Sequence, residues 1–364
     1  MGNTKIEWTD ATWNPVTGCT KISEGCKNCY AERMATTRLS KMPSSGYSPE
    51  DPFAVTLHSE RLNEPLKWMK PKMVFVCSMG DIFHEDVPFE FIARIFSVMA
   101  LNERHIFQIL TKRPERMAEF LKWVEACYAR MFENDEGLRV LPNVWLGVTA
   151  ENQEQADKRI PILLDIPAAK RFVSIEPMLG EIDIKPYIGL RSLKCKCGYH
   201  SDEMDLVPRG LSRGKENLIC LECGYRAEEG PVLDWVICGG ETGQNARPMN
   251  PEWARSVRDQ CKEAGVPFFF KQWGEWGLNE WTNGMFPALE EYRGTMRAFT
   301  IVDHSNRTEI GKTTYNVFPL VGNSYETLTR VGKKKAGCLL DGVEHKEFPL
   351  DPRLREDDKE GAGR

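Results

Sequence analysis

Six short runs of aliphatic, β-branched and aromatic residues punctuate the chain, at 73–78 (MVFVCS), 106–111 (IFQILT), 144–149 (VWLGVT), 171–175 (RFVSI), 235–239 (WVICG) and 267–271 (PFFFK). Each is almost continuously apolar, the pattern of a strand buried on both faces of a parallel sheet. Between them lie stretches of helical period at 89–101, 114–131, 153–164 and 251–264, with Pro114 and Pro251 placed as first-turn prolines. This alternation predicts an α/β fold, a parallel sheet with crossover helices. A further short strand is predicted to end at Val16. Periodicity fits either a closed eight-stranded barrel or an open arc, and the strand count favours the arc, a partial six-stranded (βα) barrel.

Polar residues gather just after the strand ends: Asp81 and His84, then Lys112 and Arg113, then Glu151 and Asn152, then Glu176 and Glu241. Ligands bind at the carboxyl ends of strands in such folds, although loops are polar in any case. Lys112 and Arg113 are the one adjacent cation pair at such an end, and a carboxylate is the natural partner of an arginine. Glu176 precedes Pro177, which biases it to extended geometry along the strand mouth; a plain surface carboxylate is the alternative.

Two segments break the rhythm. Residues 191–232 carry four cysteines and many charges, and read as a module inserted into a main domain spanning 1–277. Residues 278–364 read as a C-terminal extension with a charged tail from 355. No run of about 18 apolar residues occurs, and the start MGNTKIEWTD lacks the order of a secretory signal, so a cytoplasmic protein with no membrane partner is expected.

A formal net charge of -5 excludes a surface that is basic all round, the kind held to nucleic acid by phosphate contacts alone. Twelve cysteines fall well short of a disulfide scaffold, and seven of them lie in two tight clusters, which points to metal in a reducing compartment.

The first cluster is WNPVTGCTKISEGCKNCYAER, with Cys19, Cys26 and Cys29 spaced C-x6-C-x2-C. Three thiolates on one loop can hold three irons of a cubane and leave the fourth iron open to a small molecule. A closed zinc site wants a fourth Cys or His, and none lies between Trp8 and Thr56. Gly18 and Gly25 let the backbone turn and offer amides to sulfur. A zinc site completed from elsewhere and unrelated buried thiols are the competing readings.

The second cluster, Cys195-Lys-Cys197 and Cys220-Leu-Glu-Cys223, each followed by Gly-Tyr, reads as a four-cysteine zinc ribbon whose first knuckle is one residue short. An auxiliary iron-sulfur cluster or no metal are the alternatives. Lys194, Lys196, Arg209, Arg213, Lys215 and Arg226 in this module are offset by Glu203, Asp205, Glu222, Glu228 and Glu229, so a solvated ribbon competes with a nucleic-acid contact. Lys333, Lys334 and Lys335 form either a phosphate patch or a solvent-facing loop. Trp235, Trp253, Trp273 and Trp276 read as core or as a stacking surface.

The motif N-P-x-x-G-C followed by C-x-x-C-Y-A-x-R resembles the cluster loop of radical S-adenosylmethionine proteins of the spore photoproduct lyase-like type. Through FVCSMGDIFHEDVP, HIFQILTKRPERM, NVWLGVTAENQ, RFVSIEPMLG, WVICGGETGQNARP, AGVPFFFKQWGEW and VGKKKAGCLLDG, the chain as a whole is similar to the phage gene-product 37/68 family of uncharacterised proteins. The usual spacing of the loop is C-x3-C-x2-C, so the first gap here is longer, and the aromatic usual before the last cysteine is Asn28, with Tyr30 following Cys29 instead.

The resemblance implies a partial barrel of radical S-adenosylmethionine type, with a [4Fe-4S] cluster on Cys19, Cys26 and Cys29. It implies S-adenosylmethionine as cofactor and a flavodoxin- or ferredoxin-like one-electron reductant. The Gly-Gly-Glu turn that holds the cofactor's amino group is replaced by Met79-Gly80-Asp81, which makes Gly80 and Asp81 cofactor residues, joined by Arg113 and Tyr30. Asp81, Lys112, Glu176 and Glu241 are the candidate catalytic groups, Glu241 facing substrate or ribose. The expected activity is reductive cleavage of the cofactor to a 5′-deoxyadenosyl radical that modifies a nucleobase or nucleotide. A radical modification of a peptide or partner protein, and a metal-stabilised nucleic-acid-binding protein without turnover, are the rival readings.

Overall fold

A computed structural model describes residues 4–42, 45–132, 140–188, 193–194, 200–201, 206–208, 218–220, 228–229, 232–278, 299–303, 313–319 and 325–353. Its centre is a parallel sheet of seven strands: β1 (Ala11–Trp13), β2 (Met73–Val76), β3 (Ile106–Thr111), β4 (Val144–Thr149), β5 (Lys170–Ile175), β6 (Trp235–Gly239) and β7 (Phe268–Gln272). They lie side by side in chain order and curl into a half-barrel. The sheet therefore has one strand more than the six apolar runs. The additional strand, β1, has only three residues, too few to show a period, and it ends at Trp13, before Val16. Val16–Thr17 instead pairs antiparallel with Thr56–Leu57.

Helices α2 (Phe89–Ala100), α3 (Pro114–Phe132), α4 (Gln153–Asp165) and α5 (Pro251–Ala264) follow β2, β3, β4 and β6, while the short α1 (Tyr30–Thr37) follows the cysteine loop. Local chemistry sets their starts. The Asn152 side chain accepts from the amide of Gln155, and that of Asn250 from the amide of Glu252, so each caps a helix whose first amides would otherwise lack partners. Gly265 ends α5 in the left-handed conformation at φ 67°.

Strand alternation splits the core in two. Val74, Val76, Phe107, Ile109, Leu146, Val148, Val173 and Val236 face the helices and pack with Ile92, Ile95, Phe120, Ile160 and Val257. Met73, Phe75, Trp145, Phe172, Trp235, Ile237 and Phe269 face the inside of the arc, with Trp8. Fully burying a side chain of this size is worth about 1.5–3 kcal/mol, so the aromatic interior is a packed core. Gly147 leaves the room: a Cβ there would lie 2.5 Å from the Phe172 ring. At the amino end of the strands, Trp8 packs on Phe75 at 4.6 Å between ring centroids, and Phe348 lies 5.2 Å from Trp235. The half-barrel is thus filled at its amino end.

After β7 the order changes. The strands β8 (Trp276–Leu278), β9 (Phe299–Asp303), β10 (Thr313–Pro319) and β11 (Tyr325–Arg330) form an antiparallel sheet in the order β8-β11-β10-β9, followed by the short helix Lys333–Ala336. In the inserted segment, Leu206–Pro208 pairs with Leu218–Cys220, and Leu193–Lys194 lies between His200–Ser201 and Glu228–Glu229. Cys195, Cys197 and Cys223, on which the zinc-ribbon expectation rests, lie outside the described residues, as does the side chain of Cys220. Trp235, Trp273 and Trp276 are buried and Trp253 packs on the core. Among the described residues no helix is long and apolar enough to cross a membrane.

Candidate functional site

The loop that carries Cys19, Cys26 and Cys29 is tied to the carboxyl ends of the strands. It begins at Gly18, whose amide donates to the Met79 carbonyl at 2.9 Å. Gly18 has φ 83°, and a Cβ there would meet the Ala54 carbonyl oxygen at 2.0 Å. Gly80, opposite, approaches so closely that its own Cβ would lie 2.9 Å from the Gly18 oxygen. Only residues without side chains let the loop and the turn after β2 touch in this way. Cys26 closes the 3-10 turn Glu24–Cys26, and Cys29 immediately precedes α1. All three thiols are partly exposed.

Three strand ends hold this loop, each through a buried carboxylate paired with an arginine. After β2, Asp81 accepts from the Thr111 hydroxyl at 2.9 Å, from the amides of Phe83 and Lys112 at 3.0 and 3.3 Å, and from Arg113 Nη1 at 3.5 Å. Arg113 in turn donates to Cys19 Sγ at 3.3 Å and to the carbonyl and hydroxyl of Thr20 at 3.3 and 2.8 Å.

After β4, Glu151 accepts from the amide of Gly25 at 3.1 Å and from Arg159 Nη1 at 2.9 Å. Burial pushes its carboxyl up, but bonds from Ser23 and Gly25 and the charges of Arg159 and Lys112 outweigh that, so it titrates below the ordinary glutamate range. After β6, Glu241 accepts from Arg247 Nη2 at 2.6 Å and from Asn28 Nδ2 at 2.9 Å, while Arg247 also reaches the Glu24 carbonyl at 3.0 Å. Burial again raises the carboxyl, and the bonds from Arg247 and Asn28 bring it below the ordinary range.

A fourth carboxylate is placed differently. Glu176, at the end of β5, lies 3.2 Å from Lys271 on β7 and accepts from the Ser174 hydroxyl at 3.3 Å. All three continue the alternating set of Phe172 and Phe269 that faces the interior of the arc, Ser174 and Lys271 one step and Glu176 two steps toward the carboxyl end. Gly239 makes the space, since a Cβ there would stand 2.6 Å from Glu176 Oε1. Tyr30 senses the charges of both Cys29 and Glu176, and its hydroxyl donates to the Ser78 carbonyl. The Glu176–Lys271 pair is therefore close to the cysteine loop. Lys112 contributes its charge near Glu151 and forms no ion pair with a described residue.

Two cofactor roles inferred for this site meet residues that are already engaged. Every oxygen of Asp81 has a donor, and all five donor directions of Arg113 are used by Glu85, Cys19, Asp81 and Thr20. Arg159, Arg247, Asn28, Ser174 and Lys271 were not singled out from the sequence as site residues. Arg247 lies inside the block GGETGQNARP, six residues after Glu241, a spacing that marks it in the sequence, whereas Arg159 looks like an ordinary polar position on an amphipathic helix.

Among the described residues no three His, Cys, Asp or Glu are grouped to share one metal ion. Thiolates around a cubane each bind a different iron, so they stand farther apart than the ligands of one ion. Cys19 and Cys26 lie within electrostatic reach of each other, and Lys21 senses both Cys26 and Cys29. The neighbouring imidazoles offer no fourth ligand: His58 bonds Thr17 and Glu60, and His84 bonds Thr20 and the Asp86 amide. A three-thiolate site with one open iron fits these residues better than a closed tetrahedral zinc site. Burial pushes the Cys19 thiol up to about 11, Asp81 adds to the rise, and Arg113 opposes it.

Comparison with protein families matches residues 3–349 to the family described as protein of unknown function (DUF5131), and the chain belongs to that family. No curated protein and no solved structure matches it.

Proposed function

We propose that this DUF5131 protein is a radical S-adenosylmethionine enzyme. One observation carries the reading: a loop with three partly exposed thiols is fastened to the carboxyl ends of a parallel half-barrel by buried carboxylates from three separate strand ends. That is where α/β folds of this kind bind ligands. Cys19, Cys26 and Cys29 would hold a [4Fe-4S] cluster with one open iron. Bound there, the cluster and S-adenosylmethionine would supply one-electron reductive cleavage and the radical chemistry of hydrogen-atom abstraction.

The chain's own residues do the holding and the orienting. Asp81, Glu151 and Glu241 fix the loop through Arg113, Gly25 and Asn28. Glu176, Lys271 and Ser174 supply polar groups inside the arc, where they orient a bound substrate through charge-assisted hydrogen bonds. The aromatic layer of Phe172 and Trp235 beneath them excludes water. The substrate class follows from the resemblance of the loop to the spore photoproduct lyase-like type: a nucleobase or nucleotide. The inserted module would hold zinc on Cys195, Cys197, Cys220 and Cys223, and a flavodoxin- or ferredoxin-like protein would supply the electron.

Iron and sulfide analysis of anaerobically reconstituted protein tests the metal assignment. About four irons per chain are expected, with a brown colour, and each of Cys19→Ala, Cys26→Ala and Cys29→Ala should lose them. A colourless protein with one zinc on these three cysteines would refute it.

A further inference from the structure

The Arg113 guanidinium is buried, with its side chain 9% exposed, and every one of its donors is occupied. Nε donates to Glu85 at 3.0 Å, Nη1 to Cys19 Sγ and Asp81, and Nη2 to the Thr20 carbonyl and hydroxyl. The Thr20 hydroxyl is itself located, because it also bonds His84 Nε2 at 2.8 Å while His84 Nδ1 accepts from the Asp86 amide. A neutral imidazole that accepts at Nδ1 carries its proton on Nε2, so the Thr20 oxygen receives both His84 and Arg113. Burial and the Arg113 charge both lower the His84 pKa and favour that neutral form. The cation is thus fixed in place beside one thiol of the three.

We infer that Arg113 is a positioning residue whose hydrogen bond to Cys19 raises the reduction potential of the iron-sulfur cluster, and that Asp81 counters it. The inference rests on the cluster assignment above. Reduction adds one negative charge to the cluster. A cation bonded to a ligand sulfur stabilises that added charge and withdraws electron density from the iron, and an anion behind the cation does the opposite. Both side chains are shielded from solvent, so water screens neither effect strongly. Arginine suits the position because a planar fork reaches sulfur, carboxylate and carbonyl together, which an ammonium cannot.

The test is an anaerobic redox titration of the reconstituted full-length protein, followed by electron paramagnetic resonance, on wild type, Arg113→Gln, Arg113→Lys and Asp81→Asn. Circular dichroism and iron content serve as the check on folding. The expected results are a lower potential in Arg113→Gln, a smaller drop in Arg113→Lys, and a rise in Asp81→Asn, with iron retained. A purely structural role would not move the two neighbours in opposite directions. Potentials equal to wild type in both Arg113→Gln and Asp81→Asn would overturn the inference, and so would folded Arg113→Gln that has lost its iron. A wild-type protein that binds no cluster would instead overturn the assignment beneath it.

Discussion

The amide of Gly25 donates to Oε1 of Glu151 over 3.1 Å, which fastens the middle of the cysteine loop to the end of the fourth strand. The carboxylate is fully buried and its other oxygen binds Arg159, whose side chain is 3% exposed. Replacing Glu151 by Gln keeps an acceptor for Gly25 but leaves the Arg159 charge buried without a counter-ion. Breaking a buried pair from one side costs about 3–5 kcal/mol. Chemical denaturation of Glu151→Gln should therefore show a lower midpoint, and Glu151→Gln with Arg159→Met should recover part of the loss. A midpoint equal to wild type would mean that the pair does not hold the loop.

Acid should loosen the same loop. Glu151 and Glu241 both titrate below the ordinary glutamate range in the folded chain. A carboxyl whose folded pKa is depressed contributes stability that is complete above its unfolded value. That contribution is lost as pH falls from about 4.3 toward the folded pKa. Unfolding followed between pH 7 and pH 3 should show stability falling below about 4.3, and Glu241→Gln should show a shallower fall. An identical slope in wild type and Glu241→Gln would assign the acid sensitivity to other groups.

The strand array and the helices are legible in the sequence because each rests on local signals. Runs such as VWLGVT and WVICG declare buried strands, and Pro114 and Pro251 mark helix starts. The three-residue β1 has no such signal, and its place in the sheet comes from pairing with β2 through Trp13 and Val76. The antiparallel sheet after β7 also depends on cross-strand partners, which is why residues 278–364 read only as an extension.

At the site, the strand-end positions of Asp81, Glu151, Glu176 and Glu241 could be read, but their partners could not. Asn28 is 213 residues from Glu241, Gly25 is 126 from Glu151, and Lys271 is 95 from Glu176. A carboxylate at a strand end looks the same in sequence whether it faces a ligand or clamps a loop. Burial and saturation distinguish Asp81, Glu151 and Glu241, which clamp, from Glu176, which shares the interior with Lys271.

The most direct measurement is liquid chromatography with mass spectrometry of anaerobic, reduced, iron-loaded protein incubated with S-adenosylmethionine. Wild type is expected to release 5′-deoxyadenosine and methionine in equal amounts, and Cys29→Ala to release neither. Wild-type protein that carries its full iron under strong reductant and yet forms no 5′-deoxyadenosine would contradict the assignment of radical chemistry to this site.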